Sequence, residues 1–145
     1  AGLRLTEDNL DPLRQAFDQA VRDQVGEDIP GPSLSLEDTL GLDQVDLRLV
    51  QELDLLQPFG MGNPQPLFRS PPLKVQKYKV FGSKHVSLEL KDEKAGVTMQ
   101  GKAWRQAHIL SSEVVNQTMQ LAFTPRLNHF NGLTSIDLQI KDWQL

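Results

Sequence analysis

From Leu73 onward, apolar residues return at almost every second position, and this repeat constrains the fold more than any other feature. In HVSLELKD (85–92), Val86, Leu88 and Leu90 alternate with polar residues, so an extended chain puts all three on one side. LKVQKYKVF (73–81) alternates less perfectly. GVTMQGKAW (96–104), TMQLAFTPRL (118–127) and LTSIDLQIKDW (133–143) complete five runs. The last turns Ile136, Leu138 and Ile140 to one face, while Phe81 and Phe123 read as core. FGSK, KDEKAG and HFNG supply hairpin connections. Gly101 invites a bulge or a tight bend within its strand. RQAHILSSE (105–113), a short helix or turn, separates the third strand from the fourth. Five strands with that break predict an antiparallel barrel of the OB type, in which a helix or loop falls between strands three and four. An SH3-like barrel or a small sandwich satisfies the same pattern.

The first third of the chain has a different period. Leu10, Leu13, Phe17, Ala20 (with Val21) and Val25 follow the three-and-four spacing of one helical stripe over roughly 7–25. Thr6 is placed to cap that helix, and Pro12 pushes its start later. Gly26 and IPGP (29–32) end it. Leu34 and Leu36 alternate with polar neighbours and suggest a short strand. Asp43 is placed to cap a second helix over about 44–56, with Val45, Leu49, Leu53 and Leu56 on one face. LLQPFGMGNPQPLF (55–68) then concentrates turn chemistry. The expected class is α+β: a mainly helical segment at 1–56, a Gly/Pro-rich joint at 57–72 and a barrel at 73–145.

Charge divides along the same line. Residues 1–56 hold 4 Arg or Lys against 13 Asp or Glu, a net of −9; residues 57–145 hold 11 against 6, a net of +5. Such a split hints that the basic part contacts nucleic acid or a membrane surface. No apolar run approaches the ~20 residues of a membrane helix, and no signal peptide is evident. Zero cysteines exclude disulfides, zinc-thiolate sites and cysteine nucleophiles, which fits a cytoplasmic protein. The chain begins at Ala1 with the structured-looking AGLRL and reads as part of something longer.

Little here supports catalysis. GMGNP lacks the GK[ST] of a phosphate loop and follows a helix rather than a strand, so a structural turn is the favoured reading. His85, His108 and His129 are far apart in sequence. Glu27-Asp28 and Asp92-Glu93 fall in turns, where such pairs are usually solvated. No HExxH, Asp-His-His, EF-hand or GxSxG pattern occurs. The basic part is more informative. Lys74, Lys77, Lys79, Lys84, Lys102, Arg105 and Arg126 are interleaved with Tyr78, Phe81, His85, Trp104 and Phe130. A single-strand binder needs cations for phosphates and aromatic faces for bases. Lysines on a strand also block edge-to-edge aggregation, and for each aromatic taken alone a core position is favoured over stacking. Trp104 shares a strand face with Gln100 and Lys102, which argues for exposure.

The joint carries a resemblance. Leu56, Pro58, Phe59, Gly60, Gly62, Asn63, Pro64, Pro66 and Phe68 match in order the "L-PFG-GNP-P-F" signature of the bacterial RecJ exonucleases. AGLRL, followed by a helix with Phe17, looks like the end of that family's DHH-associated domain. NHFNGLTSIDLQIKDW (128–143) resembles its closing strand, with Phe130 where an aromatic is usual. The resemblance implies a parent enzyme that removes nucleotides from single-stranded DNA in the 5′-to-3′ direction, in DNA repair and recombination. It implies Mn2+ or Mg2+ held by an N-terminal DHH domain whose motifs are not in this sequence. This chain would then be non-catalytic, with no cofactor of its own. Its implied partners are single-stranded DNA, the parent's catalytic domains and single-strand-binding protein, and no membrane. Lys74, Lys77, Tyr78, Lys79, Lys84, Lys102, Trp104, Arg105, Arg126 and Phe130 are the candidate DNA contacts. Pro58, Phe59, Gly60, Gly62, Asn63, Pro64, Pro66 and Phe68 form the joint. A docking module for the nuclease core or for single-strand-binding protein is the alternative.

Overall fold

Helix α1 (Leu10–Val25) follows one 3-10 turn (Glu7–Asn9) and stops at Gly26, whose positive φ of 83° turns the chain away. The Gly26 N–H still donates to the Arg22 carbonyl at 2.8 Å. Pro12 sits in the first turn of α1, where a missing N–H costs no helical bond; the helix accordingly starts later than Thr6 would set it. Arg14 pairs with Asp11 and Arg22 with Asp18 along its surface. The hydrogen bond and charge of Asp18 hold the Arg22 guanidinium above its usual pKa. Leu10, Leu13 and Phe17 remain exposed.

The structure is a computed structural model describing residues 2–26, 31, 33–130 and 132–145, with Phe130 described by its backbone alone. The expected helix stop at 29–32 therefore lies, but for Gly31, outside the described residues. Among the described residues no helix is long and apolar enough to cross a membrane. The chain divides into two compact units at Leu34/Ser35 rather than at residue 56. The second helix and the joint therefore belong with the barrel.

Leu34 and Leu36, on either side of that boundary, form no strand. The extended chain just beyond them bonds instead to the segment leading out of the joint. Glu37 N donates to Leu67 O, Arg69 N to Asp38 O and Leu40 N to Arg69 O, each within 2.8–2.9 Å. Helix α2 (Leu47–Asp54) is capped by Asp46, whose carboxylate accepts from Leu49 N at 2.8 Å. Asp43 does not cap it; that residue lies in a separate 3-10 turn (Leu42–Gln44). A turn intervenes because Leu42 and Val45 both insert into the core.

The joint is braced from within. Gly60 and Asn63 exchange two backbone hydrogen bonds, and the Asn63 amide donates to the carbonyls of Leu56 and Pro58 at 2.8 and 3.0 Å. Gly62 has φ +95°, and the Gln57–Pro58 bond is cis. Pro66 O accepts from Thr124 Oγ1 at 2.6 Å, fastening the exit to the barrel.

Six strands follow: β1 (Phe68–Arg69), β2 (Leu73–Phe81), β3 (His85–Asp92), β4 (Val97–Ala103), β5 (Thr118–Phe130) and β6 (Leu133–Gln144). The order β1-β5-β2-β3-β4-β6, with β5 also paired to β6, closes five of them into a ring. That ring is the OB-type barrel expected. Only the expectation of wholly antiparallel pairing is corrected, at one seam: β4 and β6 run parallel, while the other pairings are antiparallel. The turns and 3-10 helix (Ser112–Val114) between β4 and β5 carry the chain past β4, so that β6, returning antiparallel to β5, closes alongside it. β1 is an addition that two residues are too short to announce in sequence.

The core fills the ring with Leu73, Val75, Val86, Leu88, Leu90, Leu121, Phe123, Leu138 and Ile140. β3 buries Val86, Leu88 and Leu90 completely. Ile136 is only partly buried. Gly101 makes no bulge: it lies opposite Leu88, and a Cβ there would come within 2.7 Å of Leu90 and 2.8 Å of Ile140. The glycine is needed because core side chains cross over it. The bulge is in β2 instead, between Val75 and Lys77. It reverses the facing of every later residue. Val75 opposes Leu90 inside; beyond the bulge Tyr78 opposes Leu88, and Lys77, Lys79 and Phe81 are turned outward.

Candidate nucleic-acid interface

The reversed parity builds one outer face across β2, β3, β4 and β6. One row runs Lys79–Ser87–Lys102–Gln139, and the next runs Lys77–Glu89–Gln100–Asp137. The face ends in aromatic rings. Phe81 opposes His85 across the β2–β3 hairpin, and Trp104 follows the last residue of β4. Phe81 and Trp104 meet edge-on with centroids 5.6 Å apart, and His85 and Trp104 at 4.8 Å. Phe81 is thus part of this cluster and not a core residue, because the bulge aims it outward. Phe123 is core, packed against Phe68. His85 Nδ1 accepts the Arg105 backbone N–H at 2.9 Å, which places the neutral ring's proton on Nε2 and fixes the ring. Trp104 is 47% exposed. An exposed indole braced by two neighbouring rings is a candidate stacking surface.

The cations divide into two groups. Lys77 lies 2.9 Å from Glu89, Lys74 3.8 Å from Glu93, and Lys102 2.5 Å from Asp137, which is 7% exposed. Arg126 lies 3.2 Å from Asp54, with its guanidinium 5.8 Å above the Phe59 ring. Among the described residues, Lys79, Lys84 and Arg105 have no carboxylate partner. All three stand at the aromatic end of the face. Lys102 and Arg126 thus hold structure first: Lys102 neutralises a buried carboxylate, and Arg126 ties the joint and α2 to β5. They also line, with Trp104, Asn128 and Gln139, a cleft of 160 Å³ beside the platform.

Two nominated aromatics stand apart. Tyr78 packs on the core with its hydroxyl donating to Leu110 O at 2.9 Å, so its ring is part of the barrel wall. The Phe130 side chain lies outside the described residues. Of the joint residues, only Phe59 and Phe68 reach the barrel with aromatic rings.

Among the described residues, no three His, Asp or Glu side chains converge to hold a metal ion. Asp92 is not solvated but buried, its carboxylate accepting from the backbone N–H groups of Lys94 and Ala95. It closes the β3–β4 turn. The His129 ring meets Thr134 Oγ1 at 2.9 Å.

A family model described as the RecJ OB domain matches residues 36–142. The single-stranded-DNA-specific exonuclease RecJ of Dickeya dadantii (strain 3937) is 26% identical over 150 residues, and that of Bacillus subtilis (strain 168) 21% over 152. The alignments take in the whole of this chain but only 25% and 19% of those proteins, so the chain spans a quarter or less of their length. A crystal structure of RecJ from Thermus thermophilus in complex with Mn2+ superposes with a TM-score of 0.64 at 25% identity. It covers 97% of this chain and 20% of that one. The Mg2+ complex from the same source gives 0.63 at 24%.

Proposed function

Because the chain belongs to the RecJ OB-domain family, we propose that its barrel holds single-stranded DNA for a RecJ-like 5′-to-3′ exonuclease acting in DNA repair and recombination. The carrying observation is the coincidence on one outer face of an exposed, braced indole with three cations that have no carboxylate partner among the described residues. Single-strand binding needs just these elements: a stacking surface for bases and mobile positive charge for phosphates. Trp104 stacks a base, with Phe81 and His85 behind it. Lys79, Lys84 and Arg105 contact phosphates, and Lys77 and Lys102 add charge where their partners release them. Hydrolysis belongs to the rest of the parent protein. Mn2+ or Mg2+ there would activate the attacking water and stabilise the leaving oxygen. The residues of this chain grip the strand and hold it in line.

The test is charge reversal. Lys79→Glu with Lys84→Glu removes two phosphate contacts and should weaken oligo-dT binding at 50 mM salt by roughly 10–100-fold. Unchanged affinity would overturn the assignment of this face. The competing role, docking of the nuclease core or of single-strand-binding protein, predicts that partner capture falls while any DNA affinity is unaffected.

A further inference from the structure

Beside the aromatic cluster lies an open pocket of 510 Å³ lined by Ser83, Lys84, Arg105, Ala107 and His108. Its two walls are turns from separate parts of the barrel sequence: the β2–β3 hairpin and the segment following β4. Two bonds fasten them. Arg105 N donates to His85 Nδ1 at 2.9 Å, and Ala107 N donates to Lys84 O at 3.2 Å. Ser83 and Arg105 both have left-handed backbones, with φ of 58° and 60°. Such conformations in non-glycine residues persist only where the surroundings over-determine them, and they gather at binding sites. Here they fix one cation-bearing residue and the neighbour of another on facing turns. No carboxylate lines the pocket, and neither Lys84 nor Arg105 has an ion-pair partner among the described residues.

We infer that Ser83, Lys84, Arg105 and His108 form a discrete seat for one backbone phosphodiester, set beside the base stacked on Trp104. A hydroxyl, an ammonium, a guanidinium and an imidazole together supply hydrogen bonds and charge to the non-bridging oxygens. The open rim lets the strand enter and leave, which suits an internal phosphodiester. The neighbouring aromatic cluster selects a nucleotide over an acidic peptide, whose carboxylates carry no ring to stack. This seat rests on the single-strand reading above and sharpens it, adding Ser83 and His108 to the contacts.

The test is an amide-shift titration of the 145-residue chain with the dinucleotide dTpdT, with thymidine and with a Glu-rich peptide as parallel probes. The seat predicts shifts at Ser83, Lys84, Arg105 and His108 with dTpdT and none there with thymidine. Lys84→Gln with Arg105→Gly, which keeps the left-handed backbone at residue 105, should abolish those shifts. It should also flatten the salt dependence of oligo-dT binding by about 0.7 for each phosphate no longer neutralised. If oligo-dT binds but these amides stay silent, the seat is wrong and the wider reading stands. If dTpdT moves them while oligo-dT gains no affinity, the seat stands and the wider reading fails. Shifts from the peptide alone would overturn the seat in favour of a protein partner.

Discussion

Replacing Trp104 with alanine separates a stacking platform from a structural aromatic. The residue is 47% exposed, so its burial contributes about half of what a core aromatic would. Its edge contacts with Phe81 and His85 add ~0.5–1.5 kcal/mol each at most. The variant should therefore lose roughly 1–3 kcal/mol of stability and stay folded. Loss of one stacked base costs ~1–3 kcal/mol of binding, so oligo-dT affinity should fall about 5- to 150-fold. Fluorescence anisotropy of a labelled oligonucleotide reads this directly. Trp143 is the other tryptophan, so a Trp143→Phe background lets indole quenching report Trp104 alone. Stacking is not ionic, so the fold-loss should be equal at low and high salt, and Trp104→Phe should retain most of the affinity. A loss under about twofold, or one that vanishes as salt rises, would refute the platform.

Three further outcomes test the frame that positions this face. Gly101→Ala forces a methyl against Leu90 and Ile140 and should cost ~1–3 kcal/mol, lowering the melting temperature by roughly 5–15 °C. Gly62→Val meets a φ of +95° and should cost ~1–2 kcal/mol, whereas Gly60→Val has open space and should cost under ~0.5 kcal/mol by denaturant titration. Lys102→Met strands the buried Asp137 carboxylate and should destabilise by ~1–3 kcal/mol, while Lys79→Met should change stability by less than ~0.5 kcal/mol, both by the same titration.

The barrel is legible in the sequence because its walls are one-sided. β2 and β3 begin and end where period two begins and ends, since Val86, Leu88 and Leu90 have no alternative place to go. The facing of β2 is not legible. One extra residue near Gln76 reverses it, and a bulge leaves only an imperfect alternation in LKVQKYKVF. Pattern alone therefore puts Phe81 in the core and Tyr78 among the surface contacts, each opposite to its packing. The ion pairs are equally hidden: Arg126 meets Asp54 from 72 residues away and Lys102 meets Asp137 across a parallel seam. Composition identifies the cations, but which of them are already neutralised depends on long-range pairing. Asp46 displaces Asp43 as helix cap because the core claims both Leu42 and Val45. Ser83 and His108 carry no signal beyond residue type. The hydrogen bonds between the two turns bring Ser83 and Lys84 beside Arg105 and His108.

The central claim is that this barrel grips single-stranded DNA through the unpartnered cations at its aromatic end. The most direct measurement is the oligo-dT dissociation constant across a salt series. Lys79, Lys84 and Arg105 together predict that log K falls against log salt with a slope of about −2, at ~0.7 per contact. Lys77 and Lys102, held by Glu89 and Asp137, should steepen it little. No binding at low salt, or binding indifferent to salt, would contradict the account.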